Sequence, residues 1–306
     1  MILHVVGNTT KDIFYLTKCF PLPGESILAA KRKEDVGGKG FNQSVAAALA
    51  GAEVCFTTPL GNDANAKILH KKINSIEGLT ANIMHAPFVT DESVIIVSSD
   101  SENSIVTTAD CAKWPNIEDL QPYLKLISKG DMFLMQGNMD YEVTKAALVF
   151  AKERGAINIF NPAPLTENIA SLASLADIIV LNLVEACAIL EQFDSDNIND
   201  ASSAITQGKI LQQKSGSIIL LTLGPKGCVI FSDDDLIEIA APRVKVVDTT
   251  GAGDTFVGWF CAEYIKGLSL QDAVQNAVKA AALTVTRVGT GNAFPNREEY
   301  TQVFKD

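Results

Sequence analysis

Short apolar runs rich in β-branched residues recur along the chain, at Ile2–Val6, Val54–Thr58, Met132–Met135, Ile157–Phe160, Ile178–Leu181 and Ile218–Leu223. Runs of this length with little polar alternation predict strands buried on both faces. Segments of helical length lie between them, at Phe41–Ala50, Ala64–Ile76, Tyr141–Arg154, Glu185–Gln192 and Ala201–Lys214. Alternation of this kind predicts an α/β fold: a three-layer α/β/α sandwich with a mostly parallel central sheet and right-handed crossovers.

Two stretches break the rhythm. Glu25–Val36 and Ser93–Thr108 mix polar and apolar residues without a helical period. The second reads as a hairpin, Ser93–Val97 against Ser104–Thr108, around the polar turn Ser98–Asn103. Together, about residues 12–36 and 88–108 are expected to form a small β-sheet over the strand ends, placed as a lid, within one domain spanning residues 1–306. An ordinary surface excursion would give the same pattern. Further along, Val244–Val247 reads as a strand, Phe256–Ile265 as an apolar helix and Leu270–Arg287 as a second long helix. The latter carries small residues at Ala277, Ala280, Ala281 and Ala282 and is closed by Gly289-Thr-Gly291.

Composition narrows the function classes. Apolar residues make up 47% of the 306 positions and charged residues 20%, with 11 prolines, which suits a large packed core and not a disordered chain. Twenty-five Lys and Arg against 36 Asp and Glu give a net charge of −11, so nucleic acid is not an expected partner. An acidic protein can still bind a small anion through clustered amide dipoles. The six cysteines are widely spaced, which rules out CxxC-type motifs, and the three histidines form no HExxH, so no zinc site is expected. The start lacks a basic n-region, and no apolar stretch approaches the ~20 residues that span a bilayer. A soluble, cytoplasmic protein without membrane partners is the expectation.

Two glycine-rich segments carry candidate chemistry. In Gly251-Ala252-Gly253-Asp254 a turn opens the apolar helix. The first amides of a helix have no internal acceptor and point outward with the positive end of the dipole, which favours a transferring phosphoryl group. Asp254, in the first turn beside them, could take a proton from an attacking hydroxyl. It could equally be an acidic residue that only stabilises the helix start. The other segment, Gly37-Gly38-Lys39-Gly40-Phe41-Asn42-Gln43, is neither a Walker A loop nor a dinucleotide fingerprint. Its glycines permit close backbone approach while Lys39 and Asn42 offer donors; a tight turn and helix cap is the alternative.

With both segments in view, the chain resembles the ribokinase-like (PfkB-type) carbohydrate kinases. Gly37–Ala50 and Asp248–Gly258 look like that family's two signatures, in order and spacing, and the resemblance runs over essentially the whole chain. It implies Asp254 as catalytic base and Gly251, Ala252 and Gly253 as anion hole. It implies Gly37, Gly38 and Asn42, with Lys39 in the same loop, as residues that grip a sugar, together with Asp12 near the end of the first strand. Asn182 and Glu185 match an Asn-x-x-Glu motif, the glutamate holding magnesium through water. Thr222, Gly224 and Gly227 match a Thr-x-Gly-x-x-Gly nucleotide segment, and Asn276 falls where an adenine pocket is built. Asp248 and Thr250, with carbonyls around Arg287–Gly289, resemble a monovalent-cation loop suited to potassium.

The implied reaction is transfer of the γ-phosphate of ATP, with Mg2+, to a primary hydroxyl of a small carbohydrate. Lys39, Asn42, Gln43, Asn161-Pro-Ala-Pro164 and Thr222–Gly224 look like ribokinase-type members, so ribose is one candidate acceptor. Thr10 and Asn138 depart, standing where such members usually carry an asparagine and a glutamate. Both changes fall on the sugar shell and leave the choice of sugar open. A nucleoside kinase of the same fold and a silent sugar-binding regulator are the alternatives. An open lid edge also invites pairing into a homodimer.

Overall fold

A computed structural model of the chain describes residues 1–99, 103–193, 204–233 and 235–304. Nine strands form one sheet: β1 (Leu3–Val6), β4 (Val54–Leu60), β5 (Leu79–His85), β8 (Met132–Gln136), β9 (Ile157–Asn161), β10 (Ile178–Asn182), β11 (Ile218–Thr222), β12 (Cys228–Phe231) and β13 (Leu236–Ile239). Their order is β13-β12-β11-β10-β9-β8-β1-β4-β5. Every neighbouring pair from β11 to β5 is parallel, and the β11–β12 and β12–β13 pairs are antiparallel.

Period-two alternation sorts the apolar strands into two cores. Met132 and Leu134 of β8 face one side with Ile178 and Val180 of β10, while Phe133, Met135, Ile179 and Leu181 face the other. The first side is covered by α1 (Lys39–Leu49), α2 (Ala64–Ile73), α9 (Ala252–Ile265), α10 (Leu270–Thr284) and α11 (Arg297–Val303). The second is covered by α4 (Ile117–Leu124), α5 (Tyr141–Glu153), α6 (Ala170–Ala173), α7 (Leu183–Phe193) and α8 (Ala204–Ser215). A short α3 spans Asp110–Lys113. The three layers and the mostly parallel sheet match the sequence expectation.

A separate four-stranded sheet has the order β3-β2-β6-β7, from β2 (Thr10–Leu16), β3 (Lys31–Gly37), β6 (Glu92–Val97) and β7 (Asn103–Thr107). The Ser93–Thr108 hairpin is present as the antiparallel β6–β7 pair, although residues 100–102 of its turn lie outside the described residues. So do residues 201–203 at the expected start of the helix observed as α8.

Several element assignments change. Val244–Val247 is not a strand: the amides of Val247 and Asp248 bond instead to the carbonyl of Val285 (2.7 and 3.3 Å). With Pro242 just before it and alternate residues charged, this stretch finds no strand neighbour. The helix expected to reach Arg287 stops at Thr284 with Val285 as its cap, and Gly289 takes a left-handed φ of 94° beyond that end. Strands β2, β5 and β13 are not pure apolar runs: they contain polar or exposed positions, as edge or one-face strands do. Strand β12, Cys-Val-Ile-Phe, is apolar and fully buried but only four residues long.

Candidate active site

The C-terminal ends of the parallel strands present polar side chains. Gln136, Asn161, Asn182 and Thr222 are the last residues of β8, β9, β10 and β11, with Gln136 in register with Asn161 and Asn182 with Thr222. Ligand crevices in open parallel sheets form at this edge.

Two helix starts converge above it. The entry to α1 passes Gly38 at φ 94°, where a Cβ would sit 2.7 Å from the Asn8 carbonyl oxygen, so the loop packs onto the segment after β1 only because the side chain is absent. Helix α9 starts at Gly251 with no side-chain cap. The Ala252 amide reaches the Thr249 carbonyl (3.3 Å) and Thr255 N–H donates to the Gly251 carbonyl (2.8 Å). Gly253 is exposed, with open space where a side chain would stand.

Asp254 connects the two helices. It is 8% exposed, and each carboxylate oxygen accepts an amide from α1: Asn42 Nδ2 donates to Oδ2 and Gln43 Nε2 to Oδ1, both at 3.0 Å. Lys39 Nζ stands 4.0 Å from Oδ1. A cavity of about 90 Å³ opens beside Asp254, lined among others by Lys39, Asn161, Asn182, Glu185, Thr222 and Gly253.

Glu185 starts α7 in a reciprocal arrangement, its Oε2 accepting the Asn182 amide while its own amide donates to Asn182 Oδ1 (both 2.9 Å). Burial pushes its carboxyl up from the usual range, the Asn182 amide and the Lys39 charge pull it down, and Asp254 pushes it up again.

Asp12 comes from the second sheet. It is buried and accepts from Thr10 Oγ1 (2.7 Å). Burial pushes its pKa up to about 6, opposed by hydrogen bonds from Thr10 and Ser93 and reinforced by the charges of Asp35 and Asp254. Any side chain at Gly37 would run into the Asp12 carboxylate. Three buried acceptor atoms, Asn42 Oδ1, Gln136 Oε1 and Asn138 Oδ1, have no hydrogen-bond partner among the described residues.

A sequence profile of the pfkB family carbohydrate kinases matches residues 3–297. The chain belongs to that family. Within the pfkB family, mouse ribokinase is 31% identical over 307 residues, covering 96% of this chain and 92% of its own length. Deoxyribokinase of Salmonella typhi is equally similar, at 31% identity over 99% of this chain and 98% of its own. Among solved structures, ribokinase from Thermotoga maritima superposes with a TM-score of 0.90 at 27% identity, covering 100% of this chain and 99% of that one. Arabidopsis thaliana ribokinase complexed with ribose and ATP gives 0.84 at 25%, over 99% and 98%. This pfkB family member is therefore a carbohydrate kinase with a ribokinase-like fold.

Of the residues singled out from sequence, Lys39, Asn42, Asn182, Glu185, Thr222, Gly253 and Asp254 are brought together at or beside the cavity. Gly224 and Gly227 form the turn between β11 and β12, both at positive φ. Asp248 accepts the amides of Thr250 and Gly289 (both 2.9 Å), one on each oxygen, and so ties the loop before α9 to the segment after α10.

Asn276 is not brought to the cavity. Its Nδ2 donates to Glu263 (2.6 Å) and its Oδ1 accepts from Tyr300 (2.8 Å), in a cluster with Arg297 and Trp259. Sequence reading gave no role to Gln43, Gln136 or Asn161. The signal that could have found two of them is a single amide ending an otherwise apolar strand.

Among the described residues, no group of three or more His, Cys, Asp or Glu is placed to hold a metal ion by itself, and no helix is long and apolar enough to cross a membrane.

Proposed function

We propose that this carbohydrate kinase transfers the γ-phosphoryl group of ATP to a primary hydroxyl of a small sugar. The observation that carries the reading is Asp254: a buried carboxylate in the first turn of an uncapped helix, gripped by two amides and facing a shared cavity. The acceptor hydroxyl would give its proton to Asp254 while the amides of Gly251, Ala252 and Gly253 meet the charge on the moving group. Lys39, at the cavity wall, would offset donor charge, and Asn182 and Thr222 would lie along the phosphates. Gly224 and Gly227 would shape the nucleotide side.

Sugar hydroxyls would donate to ionised Asp12 and to the unpartnered oxygens of Asn42 and Asn138, held close by the Gly37–Gly38 turn. The second sheet, which carries Asp12, would act as a lid that excludes water. Ribose is the acceptor we favour, supported by the ribokinase relatives; deoxyribose follows from the equally similar deoxyribokinase.

Glu185 suits magnesium: one half-buried carboxylate at the cavity offers a hard oxygen to a water of an ion held mainly by phosphates. Magnesium there would neutralise charge across the phosphates. The loop of Asp248 and Thr250 suits potassium in its oxygen-rich character. Because both Asp248 oxygens already accept amides, carbonyl oxygens would be its main ligands. Exposed Ile105 and Val106 on β7 support pairing of two copies through the lid.

The deciding experiment is an ATP-consumption screen against ribose, deoxyribose, hexoses, sugar acids and nucleosides, with and without potassium. Sugar-stimulated turnover that vanishes in Asp254→Asn is expected. Stimulation by nucleosides alone would replace the sugar reading, and a fully active Asp254→Asn would remove the base.

A further inference from the structure

The amide of Gln43 has no solvent exposure and sits at the centre of a directional chain. The chain starts at a backbone carbonyl, which can only accept. Asn161 Nδ2 donates to the Val180 carbonyl (2.8 Å), so Asn161 turns its Oδ1 towards Gln43. Gln43 must then present its NH₂, and Nε2 donates both to Asn161 Oδ1 (2.9 Å) and to Asp254 Oδ1 (3.0 Å). Its remaining Oε1 accepts from Gln136 Nε2 (2.9 Å). The ends of β8 and β9, with the Val180 carbonyl inside β10, thus fix which way one α1 side chain points its protons. All three amides are buried, so reversing any of them would set acceptor against acceptor or donor against donor at a cost that water cannot relieve.

We propose that Gln43 is a positioning residue for phosphoryl transfer, a one-way donor locked by the strand-end amides that holds the Asp254 carboxylate aimed at the cavity. The inference rests on Asp254 being the base. With Asn42 on Oδ2 and Gln43 on Oδ1, both oxygens receive donors from the same helix, which sets the plane of the carboxylate and leaves its other lone pairs for the acceptor hydroxyl. The charged groups facing Asp254 are Lys39 on α1, Asp12 on β2 and Glu185 on α7. The strand ends beneath contribute only neutral side chains.

The test compares kcat against pH, at saturating ATP and sugar, for wild type, Gln43→Glu, Gln43→Met and Asp254→Asn. In Gln43→Glu the carboxylate keeps the Gln136 donor but turns an acceptor on Asp254, so the pair must share a proton and the acidic limb should move up by one pH unit or more. Gln43→Met keeps the volume without a donor; kcat should fall at least tenfold while the KM for sugar stays within threefold. A purely packing role predicts variants whose limb coincides with wild type, and that result in a folded Gln43→Glu overturns the proposal. Should Gln43→Glu not fold, a Gln43→Met kcat within threefold of wild type overturns it instead. Turnover by Asp254→Asn would show that the base itself is wrong, a failure separable from that of Gln43.

Discussion

Asp12 shows what a single residue carries when function asks it to be buried. Its pKa of about 6 in the fold, against 3.8 for the free side chain, reflects burial first. Between those values the folded chain keeps a proton that the unfolded chain has released, so stability falls as pH rises through this window and levels off above it. Asp12→Asn removes the penalty. It should be more stable than wild type at pH 8, by on the order of 2–3 kcal/mol, with little difference at pH 4. Urea unfolding at the two pH values checks this, and a variant less stable at pH 8 would contradict it. The same variant should bind sugar at least tenfold more weakly, because hydroxyls lose a charged acceptor. Wild-type affinity for sugar should in turn rise as pH increases through 6. Asp12 could be read from sequence only through its place in a family pattern, since nothing local announces a buried carboxylate. The surroundings of Asn276 were unreadable for a converse reason: one amide on an amphipathic helix does not say which neighbour it meets, and here it meets Glu263 and Tyr300.

Elements set the distance on which the site depends. Helices α1 and α9 touch through Gly258, where a Cβ would lie 2.5 Å from the Gln43 carbonyl oxygen and 2.6 Å from Ala46 Cβ. That contact sits one turn from Asp254 on α9 and coincides with Gln43 on α1, so helix separation and the geometry of the Asp254 contacts are one variable. Gly258→Val should therefore cost about 1–3 kcal/mol by overpacking. It should also lower kcat by more than tenfold as the bonds from Asn42 and Gln43 stretch, with a smaller change in the KM for ATP. Chemical unfolding and steady-state rates together test this; normal kcat in a destabilised variant would uncouple the two. The buried parallel strands were readable because they are apolar on both faces. Val244–Val247 differs from the expectation because its composition is strand-like while its last amide and the next bond to the Val285 carbonyl at the end of α10. Which amide meets which across the strand ends could not be read, since register among β8, β9 and β10 is decided by packing that no local pattern records.

At the scale of the whole molecule, two sheets meet at one site. The main sheet and its helices hold Asp254, Lys39 and Glu185, while Asp12 belongs to the four-stranded sheet. That sheet is tied to the main body near one end: Lys11 Nζ donates to Asn65 on α2 (3.1 Å), Asn65 donates to Glu92 (2.8 Å), and Asp91 accepts the amides of Cys111 and Ala112 (3.2 and 2.9 Å). Its outer strand β7 carries exposed Ile105 and Val106. A sheet anchored at one end and carrying the carboxylate proposed to bind the acceptor can change its angle when that carboxylate is engaged. Layering was readable from strand–helix alternation and the second sheet from the stretches that break it, but the side-chain ties at its base were not, because they join residues that only the fold brings together. Hydrogen exchange gives the test. With sugar and an unreactive ATP analogue bound, amides of Lys31–Gly37 and Glu92–Val97 should exchange at least fivefold more slowly, while those of β8 to β11 change little. Asp12→Asn should lose the response to sugar and keep the response to nucleotide. Uniform slowing in both sheets would mean that ligand stabilises the protein globally, and the four-stranded sheet would then be a fixed wall of the site and not its lid.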